Sequence, residues 1–290
     1  MEQPDKPHAA RGRRFTRRAF LRGSAAVAGA VAIGGALDAF LVEPHWLRVT
    51  HTSIVLPRWP AVWNGLRIAL LADIHRGRWV NLDHVRRMVE TTNAQKPDLI
   101  ALAGDFVSRL DAIGPDYGRL LGELRARDGV YAVLGNHDHW TNAAAVGKML
   151  TDADILLLSN AHHLLRRDGQ ILAVAGVGDL WEGRPSHARA LQGVPPHAPR
   201  LLLCHNPDYA ELMPAEPRVD LMLCGHTHGG QVNLPLLGRP RLPIQHHQYA
   251  AGLVDGPHCP VYVTVGAGLI GPPVRFRCRP EVALLTVGGY

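Results

Sequence analysis

Cysteine is scarce in this chain and badly placed for metal. The 290 residues hold Cys204, Cys224, Cys259 and Cys278, and no two have the close spacing of a zinc knuckle. Cys204 and Cys224 each end an apolar run, the position of a small core residue. Cys259 and Cys278 are far enough along the chain to pair in an oxidising compartment, and spacing does not decide whether they do. No internal repeat is present, which excludes a solenoid or a propeller. Net positive charge is also nearly missing from most of the chain. The net charge is +6, but residues 1–39 carry seven Lys/Arg against three Asp/Glu, leaving 24 basic and 22 acidic residues in the remainder. That balance, with no basic groove interleaved with aromatics, weighs against a nucleic-acid partner and against a nuclease. What the chain does have is a hydrophobic fraction of 47%, distributed as short runs from Leu66 to the end without a long polar gap. One folded unit is expected there.

The N-terminus stands apart. Arg11 to Arg22 is crowded with arginine and contains Thr16-Arg17-Arg18-Ala19-Phe20-Leu21-Arg22, followed by Gly23 and a mild apolar run, Ser24 to Leu37, rich in Ala, Gly and Val. The bland reading is an amphipathic N-terminal helix. The paired arginines, the Phe-Leu and the weakly hydrophobic run resemble a twin-arginine export signal. That resemblance implies the twin-arginine export machinery as a partner, transport in the folded state, and a destination in the periplasm or on the outer face of the cytoplasmic membrane. The run is short and small-sided for a transmembrane helix, and no small-x-small cleavage site stands out. Residues 1–39 are therefore read as a signal or N-terminal anchor, 40–65 as a linker that becomes an edge strand near Arg48 to Val55, and 66–290 as the main folded domain.

In that domain, strand-length apolar runs alternate with helical patterns. Leu66 to Ala72, Leu99 to Ala103, Val130 to Leu134, Arg200 to Leu203 and Val219 to Leu223 read as strands. Asn81 to Gln95, Tyr117 to Arg127 and Asn142 to Asp152 read as helices, with Leu82, Val85, Met88 and Val89 on one face of the first. Ile155 to Leu158, Leu164-Leu165, Ile171 to Ala175, Val261 to Val265 and Glu281 to Val287 add further strands. Alternation implies parallel pairing with helices outside, and the tight turns of the later strands imply antiparallel additions. The stretch Gln231 to Gly252 is too long and too Gly/Pro-rich for a simple turn; its apolar part, Val232 to Leu242, is expected to pack over the sheet, the alternative being contact with lipid.

Each of five strand ends carries chemistry: Asp73 and His75, Asp105, Asn136 and His137, His205, and His226 and His228. Sites in open α/β sheets lie beyond the carboxyl ends of strands. On extended backbone, residues two apart point to the same side, so Asp73/His75 and His226/His228 read as two pincers with a carboxylate between them. Carboxylate oxygen and imidazole nitrogen suit Mn, Fe, Co or Zn. Taken singly, Asp-x-His is a surface loop, Gly-Asp a turn, and His205 a satisfied polar residue. Asp138 alone would be a turn-forming carboxylate. Their repetition in this order, each after an apolar strand, is what argues for a shared site.

The set Asp73-x-His75, Gly104-Asp105, Gly135-Asn136-His137-Asp138, His205 and Gly225-His226-x-His228 resembles the signature of the calcineurin-like metallophosphoesterase superfamily, over about residues 46–287. The resemblance implies a four-layer α/β/β/α sandwich with two mixed sheets and two divalent metal ions. Asp73, His75 and His228 would hold one, Asn136, His205 and His226 the other, and Asp105 would bridge them. It implies a phosphodiesterase in which a metal-bridging hydroxide attacks phosphorus, His137 protonates the leaving oxygen, and Asp138 orients the ring of His137. His139, Asp179 and Asn206 would serve as supports. Two departures stand out. Ser108 occupies a position where the family often has Asp, and Thr264-Val265-Gly266 replaces a Ser-Arg-Gly run, which removes an expected arginine contact to substrate. With the leader, the resemblance narrows to exported bacterial phosphodiesterases and points to an envelope or lipid-linked phosphodiester or pyrophosphate, with a membrane surface as a possible contact. The alternatives are a non-catalytic, metal-stabilised envelope-binding protein and an exported nuclease. The intact His137-Asp138 pair argues against the first.

Overall fold

A computed structural model describes residues 16–289. The beginning of the leader, with Arg11, Arg13 and Arg14, lies outside the described residues. The chain opens with helix α1 (Arg17–Leu37), whose N-cap Thr16 accepts the Ala19 N–H at 3.2 Å. The expected stop at Leu37 does not occur. Asp38 interrupts the apolar run in sequence, yet the chain continues through a π-turn (Asp38–Val42) and a 3₁₀ turn (Glu43–His45). Together the 29 residues Arg17–His45 are long and apolar enough to cross a membrane, so the segment is longer than the short run read from sequence.

The body is built from β1 (Arg48–Val55), β2 (Leu66–Leu71), α2 (Leu82–Ala94), β3 (Leu99–Ala103), α3 (Pro115–Leu121), β4 (Val130–Val133), α4 (Asn136–Asp152), β5 (Leu156–Leu157), β6 (Ala161–Arg167), β7 (Gln170–Gly176), α5 (His187–Ala190), β8 (Arg200–Leu203), α6 (Tyr209–Leu212), β9 (Leu221–Cys224), β10 (Gly252–Asp255), β11 (Pro260–Val263) and β12 (Glu281–Gly288). These form two mixed six-stranded sheets, ordered β1-β12-β2-β3-β4-β5 and β10-β11-β9-β8-β7-β6. In the first sheet the one antiparallel pairing is the internal one between β12 and β2; in the second the two outer pairings, β10–β11 and β7–β6, are antiparallel; all other neighbours run parallel.

Three apolar cores separate four layers. One lies between helices α2–α4 and the first sheet, with Val85, Met88, Tyr117, Leu121 and Leu150 against Leu71 and Leu102. The second fills the space between the sheets, where Ile68, Leu70 and Val133 meet Val174, Leu203 and Leu223. The third lies behind the second sheet, under α5, α6 and the loops around Tyr249. Burial on both faces explains why β3, β9 and all of β8 after Arg200 read as apolar runs with no alternation. The third helix is shorter than the expected span to Arg127: it stops at Leu121, where Gly122 forms the C-cap. The fourth is longer, because the chemistry-bearing turn at Asn136 is itself helical and joins the expected helix across a kink at Asn142. All four cysteines are buried and free, so Cys259 and Cys278 are not paired.

One topological fact fixes where everything else sits. Strand β1 is parallel to β12, and β12 is antiparallel to β2. The start of β1, at Arg48, therefore lies at the carboxyl ends of β2, β3 and β4. The foot of the N-terminal helix and the polar strand ends share one rim of the molecule.

Candidate metal centre

Asp73 and His75 follow β2, Asp105 follows β3, Asn136 and His137 open α4 after β4, His205 follows β8, and His226 and His228 follow β9. All these residues are buried except His137, which is half-buried. Metal-binding atoms of Asp73, His75 and His228 lie within 4.8 Å of one another, as do those of His75, Asp105 and His137, and those of Asp105, His205 and His226. Asn136 lines the same cleft.

The pincers do not arise from strand alternation. Asp73, His75, Asp105, His226 and His228 lie beyond their strands, with φ of 54°, 51°, 57°, 70° and 51°. Left-handed backbone, not the pleat, turns these side chains inward. It costs roughly 1–2 kcal/mol per non-glycine residue, and Asp, Asn and His tolerate it best after glycine. Close packing holds the turns in place. At Gly104, itself at φ +89°, a Cβ would stand 2.6 Å from the Gly135 nitrogen and 2.8 Å from His205 Nδ1, so only glycine lets these two loops meet.

The centre of the arrangement is one oxygen. Asp105 Oδ2 lies 3.4 Å from His75 Nε2 and 3.2 Å from His205 Nε2. On one side His75 Nε2 faces His228 Nε2 at 3.0 Å; on the other, His205 Nε2 faces His226 Nδ1 at 3.1 Å. The outer ring nitrogens are committed. His205 Nδ1 donates to the Ala103 carbonyl at 2.7 Å, and His226 Nε2 donates to the Pro243 carbonyl at 3.1 Å. The facing nitrogens of those two rings therefore both carry lone pairs unless a proton or a cation stands between them. Asp73 Oδ2 and Asn136 Oδ1 are buried without a partner. Bare imidazole nitrogens, two carboxylates and orphaned oxygens aimed at one space are the donor set of a divalent cation, so these residues fit a metal centre.

The titration behaviour carries the same message. Burial pushes Asp73 up to about 6, with His205 pulling the other way. Burial likewise opposes ionisation of Asp105, but His205 and His75 outweigh it and hold that carboxyl well below its ordinary range. In return Asp105 overcomes the burial of His205 and raises it well above the usual imidazole value. Burial lowers His137 to about 4, His226 to about 3, and His228 well below the usual value. A proton on His205 does for this cluster what a cation would do.

Supporting residues depart from expectation in two places. Asp138 does not orient the His137 ring: among the described residues its carboxylate makes no hydrogen bond to that ring. It accepts the backbone N–H groups of Asp105, Phe106, Val107 and Gly135 at 2.8–3.2 Å. The carboxylate points away from the cleft because it caps the turn that carries Asp105, although burial and the Asp105 charge push it up to about 7. Ser108 takes a positioning part, its hydroxyl 2.8 Å from His75 Nδ1. Asp179 and Asn206 act as local caps, accepting the N–H groups of Trp181 and Glu182, and of Asp208. The wall behind His228 is held by Arg275, a fully buried guanidinium that donates to the carbonyls of Val265, Gly268 and Cys278 at 2.7–3.0 Å.

The cleft above the cluster has a volume of about 340 Å³. Three functional side chains in its lining, Trp140, Trp181 and Arg241, lie outside the sequence motifs. Trp140 and Trp181 stand half out of the surface with near-parallel rings 6.0 Å apart. They meet His137 and His226 edge-on at 4.8 and 4.7 Å. Trp140 donates from its indole to Glu182 at 2.7 Å. Arg241, from the Gly/Pro-rich stretch, brings a positive charge to the cleft wall, where the missing Ser-Arg-Gly run left none to be expected. A tryptophan three residues after His137 is the one signal the sequence offers for the aromatic rim.

Residues 66–230 match the model of the family described as calcineurin-like phosphoesterase. Phosphodiesterase YaeI of Escherichia coli is 34% identical over 94% of this chain and 99% of its own length. The uncharacterized metallophosphoesterase YkuE of Bacillus subtilis is 32% identical over 95% of this chain and 98% of its own. A transmembrane protein with metallophosphoesterase domain from Danio rerio is 33% identical over 83% of this chain and 57% of its own length.

Proposed function

Because the chain belongs to the calcineurin-like phosphoesterase family and is a metal-dependent phosphoester hydrolase, we propose that it is a phosphodiesterase with a dinuclear centre. Asp73, His75 and His228 would hold one divalent cation, Asn136, His205 and His226 would hold the other, and Asp105 would be shared between them. Bound there, the pair would supply Lewis acidity and an ionised water for in-line displacement at phosphorus. The observation that carries this reading is the convergence of two facing histidine pairs on a single carboxylate oxygen.

The chain's own groups do the rest. His137, half-buried at the cleft edge with its backbone N–H on Asp105 Oδ1 at 2.9 Å, faces the leaving oxygen and gives it a proton. Burial keeps its ring neutral when alone, and a phosphoester anion beside it works in the opposite sense. Arg241 attracts the phosphoryl oxygens, and the indoles of Trp140 and Trp181 exclude water from one side.

The substrate proposed is an envelope or lipid-linked phosphodiester or pyrophosphate, met on the outer face of the cytoplasmic membrane. The likeness to YaeI, a named phosphodiesterase, supports the reaction class. The apolar N-terminal helix, and the name of the zebrafish relative as a transmembrane protein, support the membrane setting. Arg17, Arg18 and Arg22 mark the end of the helix left in the cytoplasm, after export of the twin-arginine type. The Ala39 carbonyl accepts the Arg275 N–H at 3.0 Å, and the buried Glu43 carboxylate accepts the N–H groups of Arg277 and Cys278. The foot of the helix is thus part of the fold, which favours a retained anchor. Hydrolysis of bis(p-nitrophenyl) phosphate with added Mn²⁺, beside the matching monoester, tests the reading. A metal-dependent preference for the diester that Asp105→Asn or His137→Ala removes is the expected result. Turnover unchanged in both variants would overturn it.

A further inference from the structure

The segment expected to pack over the sheet does so only in part: Leu242 rests against the third core, and the middle of the segment stands away from it. Within Val232 to Leu242, Leu234 and Gly238 exchange backbone hydrogen bonds at 2.7 and 2.9 Å, closing a small hairpin with Pro235, Leu236 and Leu237 at its tip. Leu236 is fully exposed and Leu237 is 78% exposed. Paired exposed leucines on a tight turn are costly in water unless they meet an apolar partner.

We propose that this hairpin is a membrane-contact element, and that Leu236 and Leu237 enter the boundary between lipid headgroups and acyl chains beside the anchor. The inference rests on the reading of α1 as a retained membrane helix and goes beyond it. The hairpin stem is stitched to the strip of chain that carries the foot of the anchor. Phe276 donates its N–H to the Gln231 carbonyl at 2.9 Å and accepts the Asn233 N–H at 2.9 Å. Its neighbour Arg275 bonds the Ala39 carbonyl, and the Phe276 ring lies against Gly35 in the helix. The same foot carries the exposed side chains of Phe40 and Leu41, and Trp46, whose half-exposed ring stacks 3.8 Å under the Arg279 guanidinium. An aromatic ring with a cation at the end of an apolar helix is the chemistry of the bilayer interface. A membrane plane drawn through the foot of α1 therefore runs past the hairpin.

The consequence reaches the site. Arg239 and Arg241 follow the hairpin directly, Arg239 donating to the Gly229 carbonyl at 2.9 Å and Arg241 lining the cleft. Two positive charges between an inserted tip and the cleft place its mouth at headgroup depth. The substrate class this fits is a phosphoester carried by a lipid in that leaflet.

The test uses the full chain in phosphatidylcholine–phosphatidylglycerol vesicles. All four native cysteines are buried, so Leu236→Cys offers a single accessible thiol for an environment-sensitive label, with Leu237→Cys as the second position should the first fold poorly. Arg125→Cys, exposed in the loop before β4 at the opposite ends of the strands, is the control. The expected result is blue-shifted emission at 236 or 237, with stronger quenching by lipid spin-labelled near the headgroup than by lipid labelled deep in the chain, and neither at 125. Water-like emission without lipid quenching at both hairpin positions overturns the proposal, as does failure of the chain to float with the vesicles. The double variant Leu236→Ser/Leu237→Ser should lose about tenfold in turnover of a vesicle-borne phosphodiester and keep its rate on a soluble nitrophenyl diester; an equal loss on both substrates also overturns the proposal. If the native chain hydrolyses neither substrate, the phosphodiesterase reading fails, and the label positions still decide the hairpin.

Discussion

The backbone N–H of Asp105 donates to Asp138 Oδ2 at 2.9 Å, so the carboxylate proposed to bridge two cations is held from below by another carboxylate that never reaches the cleft. Asp138 takes three further N–H groups from the turns on either side. Asp138→Asn replaces one acceptor oxygen with a donor facing a donor. We predict a loss of about 10–100-fold in turnover, in the range seen when a metal ligand loses its support. Metal affinity and melting temperature should fall with it, while the pH–rate profile stays in place. A displaced profile with unchanged metal affinity would mean that Asp138 moves protons.

Asp105→Asn should have a larger effect. The variant keeps the size of the side chain but loses the charge that holds both histidine pairs. Turnover should drop by more than ~100-fold, with metal content reduced in elemental analysis. Retention of full metal content and activity would remove Asp105 from the centre.

Metal-dependent stabilisation should grow with pH. Asp73 is raised to about 6, above its unfolded value. Its contribution to the stability of the metal-free chain is therefore present at low pH and lost as pH rises through about 6. A cation binds the ionised form and restores what is lost. The shift in melting temperature on adding Mn²⁺ should be small at pH 5 and larger at pH 7.5, measured by scanning calorimetry. A shift that shrinks over this range would contradict the assignment of Asp73 as a ligand.

Ser108→Ala removes the hydroxyl beside His75 Nδ1. Metal affinity should weaken by about tenfold or more, read by titration with a chelator, with little change in melting temperature because the site of the substitution is partly open. An unchanged affinity would show that the ring is held by its neighbours alone.

Arg275→Met keeps the length of the side chain and strands the carbonyls of Val265, Gly268 and Cys278. Leaving such buried groups unpaired costs about 1–3 kcal/mol each. The melting temperature should fall markedly and the metal held by His228 should exchange faster. Wild-type stability would mean that ordered water replaces the guanidinium.

The ligand-bearing turns were legible because each motif follows a strand buried on both faces, and an unbroken apolar run such as Leu99 to Ala103 announces its own end. The angle at which Asp73 and His75 leave their strand was not legible, because left-handed backbone leaves no periodicity. Nor was the work of Asp138: its partners are main-chain N–H groups, which every residue has. Trp181 and Arg241 reach the cleft through tertiary placement of loops without a pattern, and Trp140 through the first turns of α4, whose helical start the sequence does not announce. The length of the N-terminal helix was hidden by a single charge, Asp38, which a long apolar segment absorbs.

The five inward-turned residues at positive φ also restrict what can replace them. A coordinating side chain on such a turn must supply a donor atom and accept a backbone that most residue types resist. Glutamate or cysteine can meet the first demand and meets the second less readily, while asparagine meets both. Exchange among Asp, Asn and His is therefore the route along which this centre can change its cation preference without first losing its shape.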